Sequence, residues 1–217
     1  MAIMKKIISY SIWGSDPKYL QGALENIKTQ KEFFPDWVCR FYVHDQVPRY
    51  FMDILLNEDV GIVKKSGDLG KHMDAPGMFW RFEVLKDLDV ERFIIRDTDS
   101  RLTQRDRNCI RDWERSGKNF HIIRDHDYHT TKIMGGMWGA TKEFMDSINY
   151  DDLIEQFSKM EYHNMFATDQ EFLARLIYPL VKDSACIHDD WNRFNEGARK
   201  IPHLRTNNEY IGQAIEL

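Results

Sequence analysis

From residue 7 to residue 124, short β-rich apolar runs take turns with segments whose apolar residues recur at helical spacing. Residues 7–12 read as a strand. Asp16-Pro17 then supplies a cap and a first-turn proline, and Tyr19, Leu20, Leu24 and Ile27 form the stripe of a helix. Residues 38–43 alternate as a second strand, 48–57 read as a short helix and 61–64 as a weaker strand. Ala75-Pro76 opens a helix running through Met78, Phe79, Phe82, Val84, Leu85 and Leu88. A strand over 92–96, a helix over 105–116 and a strand over 119–124 complete the alternation. Repeated βα units predict an α/β fold, with a mostly parallel, Rossmann-like central sheet flanked by helices. The second half is less regular: a Gly-rich hairpin-like stretch at 135–139, helices near 142–160 and 168–178, and a strand over 185–188. With no internal repeat, low-complexity tract or linker, the expectation is one domain over 1–217.

Composition narrows the partners. The 217 residues are 42% hydrophobic and 30% charged, enough to bury one core. A net charge of −5 argues against nucleic acid, because tracking phosphates needs a basic face. Cys39, Cys109 and Cys186 are few and far apart, show no CxxC or Cys/His zinc spacing, and read as ordinary thiols of a reducing compartment. The apolar stretch after Lys5-Lys6 is short, broken by serines and followed by no small-residue cleavage site, so a first strand is expected there rather than a leader. No transmembrane segment of roughly 18 apolar residues is present. The expected location is cytoplasmic.

The chemistry concentrates at Asp97-Thr98-Asp99, which closes the apolar run before it. Two carboxylates this close repel, and a hard dication with oxygen ligands, Mn²⁺ or Mg²⁺, is the simplest partner for them. Arg96 and Arg101 nearby point to a polyanion arriving with the metal. In parallel sheets ligands bind beyond the carboxyl ends of the strands, where these residues fall. A second Asp-x-Asp, Asp125-His126-Asp127, follows another apolar run and either lines an acceptor side or ends a strand. A Walker-type loop, a Gly-x-Gly-x-x-Gly after the first strand and a Gly-x-Ser-x-Gly elbow are all missing, which disfavours ATP hydrolysis, dinucleotide redox chemistry and α/β-hydrolase chemistry.

Taken together, Phe79-Trp80-Arg81-Phe82, Asp97-Thr98-Asp99, Met134-Gly135-Gly136-Met137 and Asp169-Gln170 resemble, in order, the motifs of nucleotide-sugar glycosyltransferases of fold type A. The glycogenin-like retaining members are the most similar. The resemblance implies a nucleotide-binding half over about 1–103 and an acceptor half over about 104–217. It also implies roles. Ser9, Tyr10 and Ser11 end the first strand where the nucleoside lies. Arg81 and Thr98 stand at the donor, Gly135 and Gly136 beside its sugar, and Asp169 and Gln170 near that sugar. Asp97, Asp99 and His188 hold the metal. The relatives' His-x-x-Gly-x-x-Lys-Pro-Trp tail is replaced by His188-Asp189-Asp190-Trp191, with Gly197 and Lys200 loosely placed, Lys200 being the candidate diphosphate contact.

Each assignment has a plainer rival: Arg81 as a helix-surface residue, Asp169 as a helix N-terminal acid, His188 as a hydrogen-bonded histidine, Tyr10 as a packed aromatic. The implied activity is metal-dependent transfer of a sugar from a UDP- or GDP-linked donor to a glycan, lipid-linked or protein acceptor. Retention would use Asp169-Gln170 beneath the sugar, and inversion would use Asp169 or Asp125 as base. Two alternatives remain: a phosphatase of the haloacid dehalogenase type, with Asp189-Asp190 as its late acidic pair, and a non-catalytic nucleotide-sugar-binding module.

Overall fold

Among the described residues, seven strands form one sheet in the order β3-β2-β1-β4-β6-β5-β7. The computed structural model describes residues 4–67, 77–160, 167–205 and 207–215. The strands are β1 (Lys5–Ile12), β2 (Val38–His44), β3 (Gly61–Lys65), β4 (Val90–Ile95), β5 (Phe120–Arg124), β6 (Trp138–Thr141) and β7 (Cys186–Asp189). Neighbours run parallel except that β6 is antiparallel to both β4 and β5. The Gly-rich stretch expected as a hairpin therefore delivers a strand into the middle of the sheet. β6 separates two βα-built halves, and its entry loop lies across the end of β4.

The two longest helices begin at side-chain caps. In α1 (Pro17–Phe33), the Asp16 side chain accepts the Lys18 N–H at 2.9 Å and Pro17 opens the first turn. A short helix α2 (Arg49–Leu55) follows β2. Thr103 caps α4 (Gln104–Ser116) through the Asp106 N–H, and Gly117 ends it at φ 67°. The single helix expected from residue 75 is instead one short turn, α3 (Gly77–Trp80), followed by a 3₁₀ stretch (Arg81–Lys86); Ala75-Pro76 lie outside the described residues. The winding stops where Asp87 turns out and its side chain accepts the Asp89 N–H at 3.0 Å, which leaves Leu88 exposed. The helical stretch near 142–160 is two pieces, α5 (Lys142–Ser147) and α6 (Tyr150–Ser158). Asn149 breaks them apart by accepting the N–H groups of Asp151 and Asp152. Beyond them, α7 (Thr168–Phe172) runs through a wider π turn (Leu173–Ile177) into α8 (Tyr178–Val181).

Strand alternation sends side chains to two cores. One holds Phe82, Phe93, Ile95, Phe120, Trp138 and Phe172, on the face covered by the 3₁₀ stretch and α5–α7. The other holds Ile8, Tyr10, Leu20, Ile94, Ile110 and Trp113, on the face covered by α1 and α4. Asp97 emerges past the end of β4 on the first side and Arg96 on the second.

Candidate active site

Arg81 is the hub. It is 7% exposed, and its guanidinium spans two carboxylates: Nη1 pairs with Asp97 Oδ1 and Nη2 donates to Asp169 Oδ2 at 2.9 Å. β1 holds it in place from below, because Ser9 Oγ donates to the Arg81 carbonyl at 2.7 Å and Ser11 Oγ accepts the Arg81 N–H at 2.9 Å. Burial works against the guanidinium's charge, but Asp97 and Asp169 outweigh it and lift its pKa above the usual value. Asp169 is 1% exposed, and burial raises its carboxyl above the usual range even though Arg81 pulls the other way. Ahead of it, Ala167 adopts φ 62°, a strained setting for a side-chain-bearing residue.

The loop into β6 closes the hub from the other side. A Cβ on Gly136 would overlap Asp97 Oδ2, and one on Gly135 would overlap Asp169 Oδ2 and stand 3.0 Å from Arg81 Nη2. Backbone therefore approaches these oxygens as only glycine allows. Asp99 sits beside the hub with a different partner, Lys18 Nζ at 2.9 Å, from the first turn of α1. Asn26, about two turns further along α1, donates to the carbonyls of Thr98 (3.2 Å) and Ser100 (2.8 Å) and accepts the Leu102 N–H, clamping the loop. The C-terminal segment reaches the same place, with the Ile215 N–H on the Asp99 carbonyl at 2.9 Å. Asp97 and Asp99 each keep an oxygen atom outside these ion pairs, with side chains 44% and 17% exposed, and carboxylate oxygens are the ligands a hard dication takes.

The structure thus gathers Arg81, Asp97, Asp169, Gly135 and Gly136, with Ser9 and Ser11 behind Arg81, while Asp99, two residues past Asp97, is held by Lys18. Thr98 is buried and contributes its carbonyl to Asn26. Gln170 stands next to the hub and accepts from Thr131 Oγ1 at 2.9 Å.

Other expectations are corrected. Tyr10 is fully buried and stacked on Phe41, with ring centroids 5.0 Å apart, so it is core and unavailable to a base. Asp125 is sealed: Arg105 grips it through two 2.7 Å bonds, Arg205 adds a third contact, and the Ile211 N–H donates at 2.9 Å. A carboxylate so saturated cannot serve as a base. Its neighbour His126 instead stacks on Tyr210, 4.1 Å between centroids. His188 points to the α4 face, where it meets His121 and Asp112 rather than Asp97 and Asp99. Lys200 bonds the Asp190 carbonyl. Arg96 is committed to Asp106 by bonds of 2.7 and 2.9 Å, and Arg101 to main-chain carbonyls of its own loop. Lys18, Asn26 and Ile215 escape sequence reading because a helix-start lysine, a helical asparagine and a C-terminal N–H carry no pattern of their own.

No protein-family model matches the chain, and neither does any curated protein. Solved structures do. A glycosyltransferase involved in glycosylation of the major capsid of PBCV-1 is similar at 13% identity over 86% of this chain and 83% of its own, with a TM-score of 0.56. The galactosyltransferase LgtC, in complex with donor and acceptor sugar analogues, matches at 14% identity over 85% and 73%, TM-score 0.51. GlyE of Streptococcus pneumoniae TIGR4 matches at 15% identity over 88% of this chain and 46% of its own, TM-score 0.55. The fold is that of the type-A glycosyltransferases. Among the described residues no helix is long and apolar enough to cross a membrane.

Proposed function

We propose that the protein transfers a sugar from a nucleoside-diphosphate sugar, UDP- or GDP-linked, to a hydroxyl on a glycan, lipid-linked or protein acceptor, with retention at the anomeric carbon. The observation that carries this reading is the Asp97–Arg81–Asp169 bridge, backed by Gly135-Gly136 at the carboxyl end of β4. Glycosyltransferases of the same fold support it.

Mn²⁺ or Mg²⁺ held by Asp97 and Asp99 would neutralise charge on the departing nucleoside diphosphate. The chain's own groups do the rest. Lys18 and Arg81 are fixed cations beside those carboxylates, oriented before any ligand arrives, and each can turn a hydrogen bond toward phosphate. Gly135 and Gly136 let the main chain lie directly against Asp169 and Asp97, which holds both carboxylates in place for the donor. Asp169 and Gln170 lie beneath it, where a carboxylate and an amide oxygen stabilise positive charge at the anomeric carbon. Asp125 has no part in this, so inversion lacks one of its two candidate bases. The phosphatase alternative finds no support: Asp189 is bound to Arg124 at 2.8 Å and Asp190 to Arg105 at 3.0 Å.

The test is a panel of UDP- and GDP-sugars with Mn²⁺, read as free nucleotide released. Asp99→Ala should lower release at least ~10²-fold. Near-normal turnover by that variant in chelator-treated buffer overturns the metal role, and donor binding without release in the wild type identifies a non-catalytic module.

A further inference from the structure

His188, expected at Asp97 and Asp99, belongs to a different cluster on the opposite face of the sheet. β5 and β7 run parallel with His121 opposite Cys186, and His188 follows two residues later on the same side. One ligand atom from each of His121, Cys186 and His188 lies within 4.8 Å of the other two, and all three residues are at most 2% exposed. The cluster is built rather than incidental. His188 Nδ1 faces His121 Nε2 at 2.8 Å, while His188 Nε2 lies 3.1 Å from Asp112 Oδ2. Arg199 in turn anchors Asp112 through a 2.7 Å bond. A carboxylate can only accept, so His188 carries its proton on Nε2 and presents the Nδ1 lone pair inward. A carboxylate holding the outer nitrogen of a histidine in this way is the arrangement that orients metal-binding imidazoles.

His121 is the second observation. Its ring is fully buried and stacked on Trp113 (5.1 Å between centroids), and its Nδ1 has no hydrogen-bond partner among the described residues. Whichever nitrogen holds its proton, the other has a lone pair to give. Cys186 completes the set from the wall of a cleft of about 510 Å³ that Lys118, Asp183 and Arg199 also line. Solvent in that cleft can provide a fourth ligand.

We propose that His121, Cys186 and His188 form a binding site for a zinc-class divalent ion, separate from the Asp97–Asp99 pair, that ties the edge strand β7 to β5 and, through Asp112, to α4. Two imidazoles and a thiolate select a borderline-soft ion and reject the hard Mn²⁺ or Mg²⁺ suited to carboxylates. On binding, the Cys186 thiol proton leaves to solvent and the sulfur becomes a thiolate ligand. The ion replaces the His121–His188 hydrogen bond: the His121 proton moves from Nε2 to the unpartnered Nδ1, Nε2 coordinates beside His188 Nδ1, and the two strands are joined by coordination instead.

The test uses the full chain and Co²⁺ or Zn²⁺ alone. Co²⁺ should bind at one equivalent with a thiolate-to-metal charge-transfer band that Cys186→Ser abolishes and Asp97→Asn/Asp99→Asn leaves intact. Asp112→Ala, at a half-buried surface position, should weaken the binding ~10–100-fold. Should Cys186→Ser fail to fold, zinc X-ray absorption on the wild type decides: a sulfur neighbour at about 2.3 Å is expected. A cobalt spectrum with no thiolate band, a zinc shell of oxygen and nitrogen only, or metal lost solely with Asp97 and Asp99 overturns the proposal. None of these readouts depends on sugar transfer.

Discussion

Gly136 and Asp97 are packed so closely that no side chain fits between them: a Cβ on Gly136 would overlap Asp97 Oδ2. Gly136→Ala must push the β6 entry loop or the carboxylate aside. Donor turnover should fall by ~10²-fold, the scale on which small displacements of reacting groups act. The far-UV circular dichroism should remain that of the wild type. Unchanged turnover would mean that the glycine only serves the loop.

Lys18 competes with any cation for Asp99. Its pKa is raised above the usual lysine value, chiefly by the hydrogen bond to Asp99, so it is charged at neutral pH. Removing that charge in Lys18→Met should tighten binding of Mn²⁺ alone by ~5-fold, about 1 kcal/mol of repulsion between partly solvated charges. Calorimetric titration without donor measures it. Weaker Mn²⁺ binding would show that Lys18 organises Asp99 rather than opposes the ion.

Arg96 and Asp106 form a bidentate pair, 2% and 0% exposed at their side chains, just beneath Asp97. Asp106→Ala strands a buried guanidinium and should cost ~3–5 kcal/mol in denaturant unfolding. A cost under about 1 kcal/mol would show that water reaches Arg96 in the variant.

His129 gives the fold an acid limit. Its Nδ1 accepts the Asp125 N–H at 2.9 Å, which only a neutral ring can do, and burial lowers its pKa from 6.5 to about 4. A histidine with a depressed folded pKa contributes stability that is complete above pH 6.5 and lost as pH falls from 6.5 towards 4. The loss is on the order of 3 kcal/mol over that window. His129→Gln should flatten this part of the curve of melting temperature against pH. An unchanged slope would assign the acid sensitivity to His121 and His188, whose burial also lowers their pKa values.

Sequence by itself determined what depends on neighbours along the chain. Strand period, the Asp16 cap, and acids placed just past an apolar run are local, and all of them survive in the folded protein. Which charges meet was decided only by the tertiary structure. Arg81 and Asp169 lie 88 residues apart, Asp125 and Ile211 86, and His121 and His188 67. Inserting β6 antiparallel between β4 and β5 brings Gly135 and Gly136 onto the acids. Strand parity then sends Asp97 and His188 to opposite faces of the sheet. Asp125 and Asp97 look alike in sequence, each following an apolar run and a basic residue. One is sealed by two arginines and a main-chain N–H, the other left partly open, because desolvation and ion pairing depend on what the fold packs nearby rather than on the motif.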